Sequence, residues 1–276
     1  MTLLALKLLL GPALVAVASV ATRRFGARVG GVVAGLPAIT GPILVVLALD
    51  HGRSFAADAA TASLLAMVGL LAFVVAYAAA SSRVSWQTSL GASYLVSAGV
   101  TAALVPVEVG PYGALLISGG ATALTLACLP RPAATVLQTE SRPRWDLALR
   151  AGCTLVPILA VTGAAAALGP HLSGLLAGFP VIAPVLVAFT HAQAGATEAA
   201  RLLHGLVLGF VAYGAFCFTI SIALEGLGAA ASFSVAVAVA LVVQAAILVL
   251  SQARPEELVV AEGGDGQPAT STYTRR

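Results

Sequence analysis

An all-α integral membrane protein, with about nine transmembrane helices in a four-plus-one-plus-four inverted-topology repeat and a broken helix in each half, is the fold class this sequence predicts. Three observations predict it. The chain of 276 residues is 59% hydrophobic and 9% charged, with recurring apolar runs of about 20 residues, the length that crosses a bilayer core. The charged residues collect between those runs, where a hydrocarbon interior forces them. One motif occurs twice, Gly31-x-x-Ala34-Gly35-x-Pro37 and Gly174-x-x-Ala177-Gly178-x-Pro180, each time interrupting a run long enough to span.

The spans are predicted near 3–21, 29–49, 56–80, 86–105, 111–129, 146–168, 172–190, 197–224 and 229–250. The first, with Lys7 ahead of an apolar run ending in Ala18-Ser19-Val20-Ala21, has the outline of a signal peptide. It is read as a retained span because residues 5–37 align with 148–180 at a constant offset of 143, with eight identities over 33 positions. The second and seventh spans carry the repeated motif. The third and eighth open near Asp58 and Glu198, and the fourth opens at Trp86. The fifth, after Pro111, has no partner. The segment 130–145, with Arg131, Arg142, Arg144, Pro132 and Pro143, divides the halves. The organisation expected is a first four-helix repeat at 1–105, a connecting helix and cytoplasmic loop at 106–145, a second, inverted four-helix repeat at 146–251, and a polar, disordered cytoplasmic tail at 252–276.

Orientation follows from the basic residues, because positive loops stay in the cytoplasm. Nine spans with an external N-terminus and a cytoplasmic C-terminus put twelve of the fourteen Lys and Arg inside, leaving Lys7 and Arg53 outside. Trp86 and Trp145 then lie at the cytoplasmic interface, and Lys7 and Arg150 snorkel to opposite faces. Beyond Pro37 the repeat is read with a three-residue slip, pairing His51 with His191, Asp58 with Glu198 and Gly69 with Gly209 at an offset of 140. The odd fifth span inverts the second unit.

The broken spans carry the main functional expectation. In Gly35-Leu36-Pro37-Ala38-Ile39-Thr40-Gly41-Pro42 each proline deletes an amide donor and each glycine tolerates non-helical dihedrals. Gly178-Phe179-Pro180-Val181-Ile182-Ala183-Pro184 repeats the device. Backbone groups freed at mid-membrane must meet protein, water or a ligand. Half-helix N-termini suit anions and C-termini suit cations. The expected substrate- or ion-binding residues are therefore Gly35, Pro37, Ala38, Thr40, Gly41, Pro42, Gly178, Pro180, Val181, Ala183 and Pro184. The plainer reading is that the prolines and glycines only kink packed helices. A gate could be built from Asp58 with Glu198, Arg201 and His204, which share one helical face, although a solvated helix end explains Glu198 and Arg201 equally well. Sodium could be held by break carbonyls with Thr40, Ser19 or Thr162, and a facilitator without a coupling ion fits equally.

Other chemistries find little support. The four histidines, at 51, 171, 191 and 204, have no metal-site spacing with each other or with Cys128, Cys153 and Cys217. No Walker motif is present. Ser93, Ser97 and Ser118 have no recognisable acid–base neighbours, so neither enzyme activity nor a cofactor is expected. The pI of about 9.0 comes from arginines that punctuate spans, so no nucleic acid is expected. The partners expected are the lipid bilayer and a small-molecule or ion substrate, and the sequence allows a homo-oligomer.

The repeat with paired, crossed breaks resembles the architecture of sodium/proton antiporters and bile-acid-type transporters, over about 215 residues of fold logic. It has four-plus-one-plus-four helices in place of their usual five-plus-five, and the resemblance carries no substrate residues. The function expected is an inner-membrane secondary transporter, a permease or exporter of a small solute working by alternating access between the second and seventh spans. The alternative is a non-transporting scaffold or lipid-handling protein of the cell envelope.

Overall fold

The computed structural model describes residues 2–37, 39–129, 146, 149–150, 152–155 and 182–252. Among these the protein is all-helical. Helix α1 spans Thr2–Phe25 and runs through Pro12. Helix α2 spans Ala27–Ala34 and α3 Thr40–Asp50. They are eight and eleven residues long, so only together do they approach bilayer thickness. Helix α4 is Arg53–Ser81, α5 Trp86–Leu104 and α6 Pro111–Cys128. Helix α7 is Ile182–Leu227 and α8 Ala229–Gln252. Four helices among the described residues, α4, α6, α7 and α8, are long and apolar enough to cross a membrane.

Local chemistry explains the ends. Helix α5 starts where the Ser85 hydroxyl accepts from the Thr88 amide, an N-cap. Helix α6 starts with Pro111 in its first turn, where a missing N–H is harmless. Gly52 before α4 has φ 92° and ψ 169°, and Gly195 within α7 has φ 84° and ψ 176°. Only glycine adopts such values without strain, so both sites turn the chain in the same way. Gly195 divides α7 into a first arm and a second arm.

Helices α4 and α7 form the centre, with Leu64, Leu71, Phe73 and Tyr77 buried against Leu202, Leu206, Phe216 and Ile220. The outer helices reverse the pattern of a water-soluble protein. On α5, Ser89, Ser93 and Ser97 are fully buried while Leu95 is 77% exposed, and on α6 Ser118 is buried while Leu116 is 76% exposed. A lipid-facing helix does this, turning leucine outward and small residues inward so that backbones approach closely. The Ser97 hydroxyl donates to the Gly69 carbonyl of α4 at 2.8 Å.

Buried positions recur between the helices at a fixed spacing. Of the fourteen buried residues of α4, twelve have a buried counterpart 143 positions later in α7, and eight do at 140. Gly52 matches Gly195 and Phe73 matches Phe216. The buried stripe of α5, Ser89-Ser93-Ser97, coincides at the same offset with Ser232-Ala236-Ala240 of α8. At that offset Asp58 faces Arg201, whereas the slip expected after Pro37 pairs it with Glu198. Arg150 also departs from expectation. It is 1% exposed and does not snorkel, because the buried Asp146 carboxylate and the Gln193 side-chain oxygen meet its guanidinium.

Candidate functional site

The interruption of the second span is a single break. The last turn of α2 tightens, with the Gly35 amide donating to Gly31 and Val32 carbonyls at 3.1 and 3.3 Å and the Leu36 amide to Val33 at 3.2 Å. Pro37 has no N–H with which to extend the helix. Helix resumes at Thr40, with the Gly41 amide bonded to the Pro37 carbonyl at 2.9 Å. Pro42 does not break anything. It lies in the first turn of α3, where amides have no intrahelical acceptor in any case. Pro184 lies within α7, with Ala183 beside it, both buried. Ala38, Gly178, Pro180 and Val181 lie outside the described residues.

The break is packed against the second half of the chain, backbone to backbone. A Cβ on Gly31 would fall 2.0 Å from the Leu202 carbonyl oxygen, and one on Gly35 would fall 2.6 Å from Gly209 Cα. Reciprocally, a Cβ on Gly205 would fall 1.9 Å from the Arg28 oxygen and one on Gly209 would fall 2.5 Å from the Val32 oxygen. Arg28 with Gly205 and Val32 with Gly209 define a parallel crossing of α2 on the second arm of α7, glycine pair against glycine pair. Such proximity brings Cα–H groups to carbonyl oxygens.

Polar side chains meet the break from two further directions. Gln244 of α8, 5% exposed, donates Nε2–H to the Val32 carbonyl at 2.6 Å. On the far side, the buried Thr40 hydroxyl lies 3.4 Å from the Tyr213 hydroxyl. Gly41 faces the Phe216 ring, where an added Cβ would meet Cζ at 3.3 Å. Thus Gly35, Thr40 and Gly41 of the expected site are gathered along the second arm of α7.

The expected gate is partly assembled. Glu198 and Arg201 form an ion pair one turn apart, with Arg201 buried and Glu198 26% exposed. His204 is half-buried on the next turn, and its Nδ1 has no hydrogen-bond partner. Asp58 is exposed, in the second turn of α4 because that helix begins at Arg53.

A buried charge network was not anticipated. Asp146 is fully buried, accepting from Arg23 at 2.7 Å, from Arg150 Nε at 2.9 Å and from Gln193 Nε2 at 2.5 Å. Arg150 also donates to Gln193 Oε1 at 2.7 Å and lies 5.1 Å from the Phe189 ring centroid, a cation–π contact. The network ties the end of α1, the helical residues around 150 and the first arm of α7 together, two residues before Gly195. The sequence signal was the i, i+4 spacing of Asp146 and Arg150. Gly205-x-x-x-Gly209 and Gln244 were missed too; the first was readable as a helix-packing motif.

Among the described residues no group of three or more His, Cys, Asp and Glu could hold a metal ion. Compared with protein-family models, with curated proteins and with solved structures, the chain matches none.

Proposed function

We propose that this protein is a multi-pass inner-membrane secondary transporter, a permease or exporter of a small solute, built as an inverted repeat and working by alternating access at its broken second span. One observation carries the reading: the α2–α3 break of the first half lies against the second arm of α7, at the junction of the two halves. A site between halves that move relative to each other is what alternating access requires. The shared offset of 143 in glycine turns and buried stripes supports two similar halves. Glycine-lined contact between α2 and α7 suits relative movement. Gly195 and Gly52 supply one turning point per half. The external N-terminus and cytoplasmic C-terminus follow from the basic residues.

The same glycine contact favours a second reading, a scaffold or lipid-handling protein in which the break only lets two helices touch. Cysteine accessibility separates the two. Cysteines at positions 38 and 183, in a background lacking Cys128, Cys153 and Cys217, are probed from each membrane face. Labelling of both positions from both faces is the result expected of a transporter; labelling from neither overturns the proposal in favour of packing.

A further inference from the structure

We infer that the end of α2 at the break is a binding site for a monovalent alkali cation, with the side-chain oxygen of Gln244 as one ligand. The inference rests on the transporter reading for its meaning and on three observations for its chemistry.

The first concerns the orientation of one amide. Gln244 Nε2 is 2.6 Å from the Val32 carbonyl oxygen. Two oxygens cannot share that contact without a proton, so the amide is fixed with its nitrogen toward Val32. Its oxygen therefore points elsewhere beside the last turn of α2, and Oε1 is buried with no hydrogen-bond partner. Buried amide oxygens are nearly always satisfied, and an orphaned one asks for a donor or a cation.

The second is the field at that place. Helix α2 ends at Ala34, and the carbonyl end of a helix carries partial negative charge. The Val32 carbonyl belongs to that end. A cation is favoured there over an anion, and the amide oxygen adds to the same preference.

The third is the kind of oxygen present. The polar groups described on the Gln244 side of the break are its amide and the backbone carbonyls of α2, and the hydroxyls of Thr40 and Tyr213 lie on the far side. None is a carboxylate. Calcium and magnesium sites draw on carboxylates to offset their charge, so neutral oxygens in an apolar setting select a single positive charge. Sodium and potassium share that chemistry.

The test uses the full-length protein in lipid nanodiscs, unfolded thermally in sodium, potassium or choline chloride at equal ionic strength. The wild type should show a saturable rise in Tm of about 3 °C in at least one alkali salt over choline. Gln244→Leu should lose that increment, whatever its Tm in choline. Gln244→Glu should lower the half-saturating concentration at least tenfold. Equal wild-type Tm in all three salts overturns the site, with Oε1 then satisfied by water. An undiminished increment in Gln244→Leu also overturns it. Should Gln244→Leu fail to fold, an unchanged half-saturation in Gln244→Glu overturns it equally. Two-faced labelling at positions 38 and 183 with no alkali response removes the cation and leaves the transporter standing. An alkali response that Gln244→Glu strengthens, with neither position labelled, keeps the site and removes transport.

Discussion

Replacing Asp146 by Asn should destabilise the protein more than any other single change of a charged residue described. The carboxylate is fully buried and accepts three side-chain hydrogen bonds, from Arg23, Arg150 and Gln193. Asn keeps an oxygen for Gln193 but turns an NH2 toward the Arg150 Nε–H, so donor faces donor. It also removes the negative charge opposite a guanidinium that is 1% exposed. Breaking a buried pair in this way costs roughly 3–5 kcal/mol. The Arg23 arm is different, because that side chain is 29% exposed. Arg23→Gln should therefore cost no more than about 1 kcal/mol. On the scale of a few degrees per kcal/mol, Asp146→Asn should lower Tm by roughly 10 °C and Arg23→Gln by about 3 °C. Thermal unfolding in nanodiscs at one fixed scan rate compares them. Adding Arg150→Met to Asp146→Asn should recover part of the loss, since removing both charges avoids stranding one. Equal losses for Asp146→Asn and Arg23→Gln, or no recovery in the double variant, would refute this account of the network.

Gly209→Ala should cost roughly 1–3 kcal/mol by overpacking, because its Cβ would meet backbone at 2.5 Å, whereas Gly91→Ala, with nothing within 4 Å, should be neutral or slightly stabilising; paired unfolding curves check the contrast. Pro37→Ala should extend α2, abolish transport and leave membrane insertion intact, as read from uptake or efflux beside surface labelling. Full activity would remove the break from the mechanism. Glu198→Gln should change stability by no more than about 1 kcal/mol, since its carboxylate is 26% exposed. If the pair gates transport, the variant should also alter the pH dependence of flux; a superimposable profile would return Glu198 to a helix-end role.

The helices among the described residues were legible because a bilayer leaves few choices. Runs of about 20 apolar residues must be helical, and Ser85, Gly110 with Pro111, and the Gly35–Pro37 interruption mark their own boundaries. What escaped the sequence depended on partners from distant segments. Arg150 looked like an interfacial arginine because nothing local says that Gln193, 43 positions on, is its partner. The burial match at an offset of 143 escaped for a related reason. Asp58 and Glu198 invited pairing as two acids, and Gly69 and Gly209 as two glycines, yet identity of residue type does not record which face is buried. Phe73 with Phe216 and Gly52 with Gly195 are the matches of residue type that agree with the burial at 143.

The packing and binding readings of the break are usually set against each other, and here the geometry makes one a condition of the other. The Val32 carbonyl at the end of α2 accepts a long bond from the Gly35 amide at 3.3 Å, and Gln244 adds a second, shorter donor from α8 at 2.6 Å. That amide can reach Val32 only if α2 lies deep among its neighbours, and the parallel approach to Gly205 and Gly209 is what seats it there. Any residue with a Cβ at 31, 35, 205 or 209 would meet backbone and lift α2 away from α7. The glycines thus explain how a broken backbone survives in hydrocarbon, and Gln244, satisfied on one atom and orphaned on the other, marks where the same packing leaves an oxygen for something else to bind.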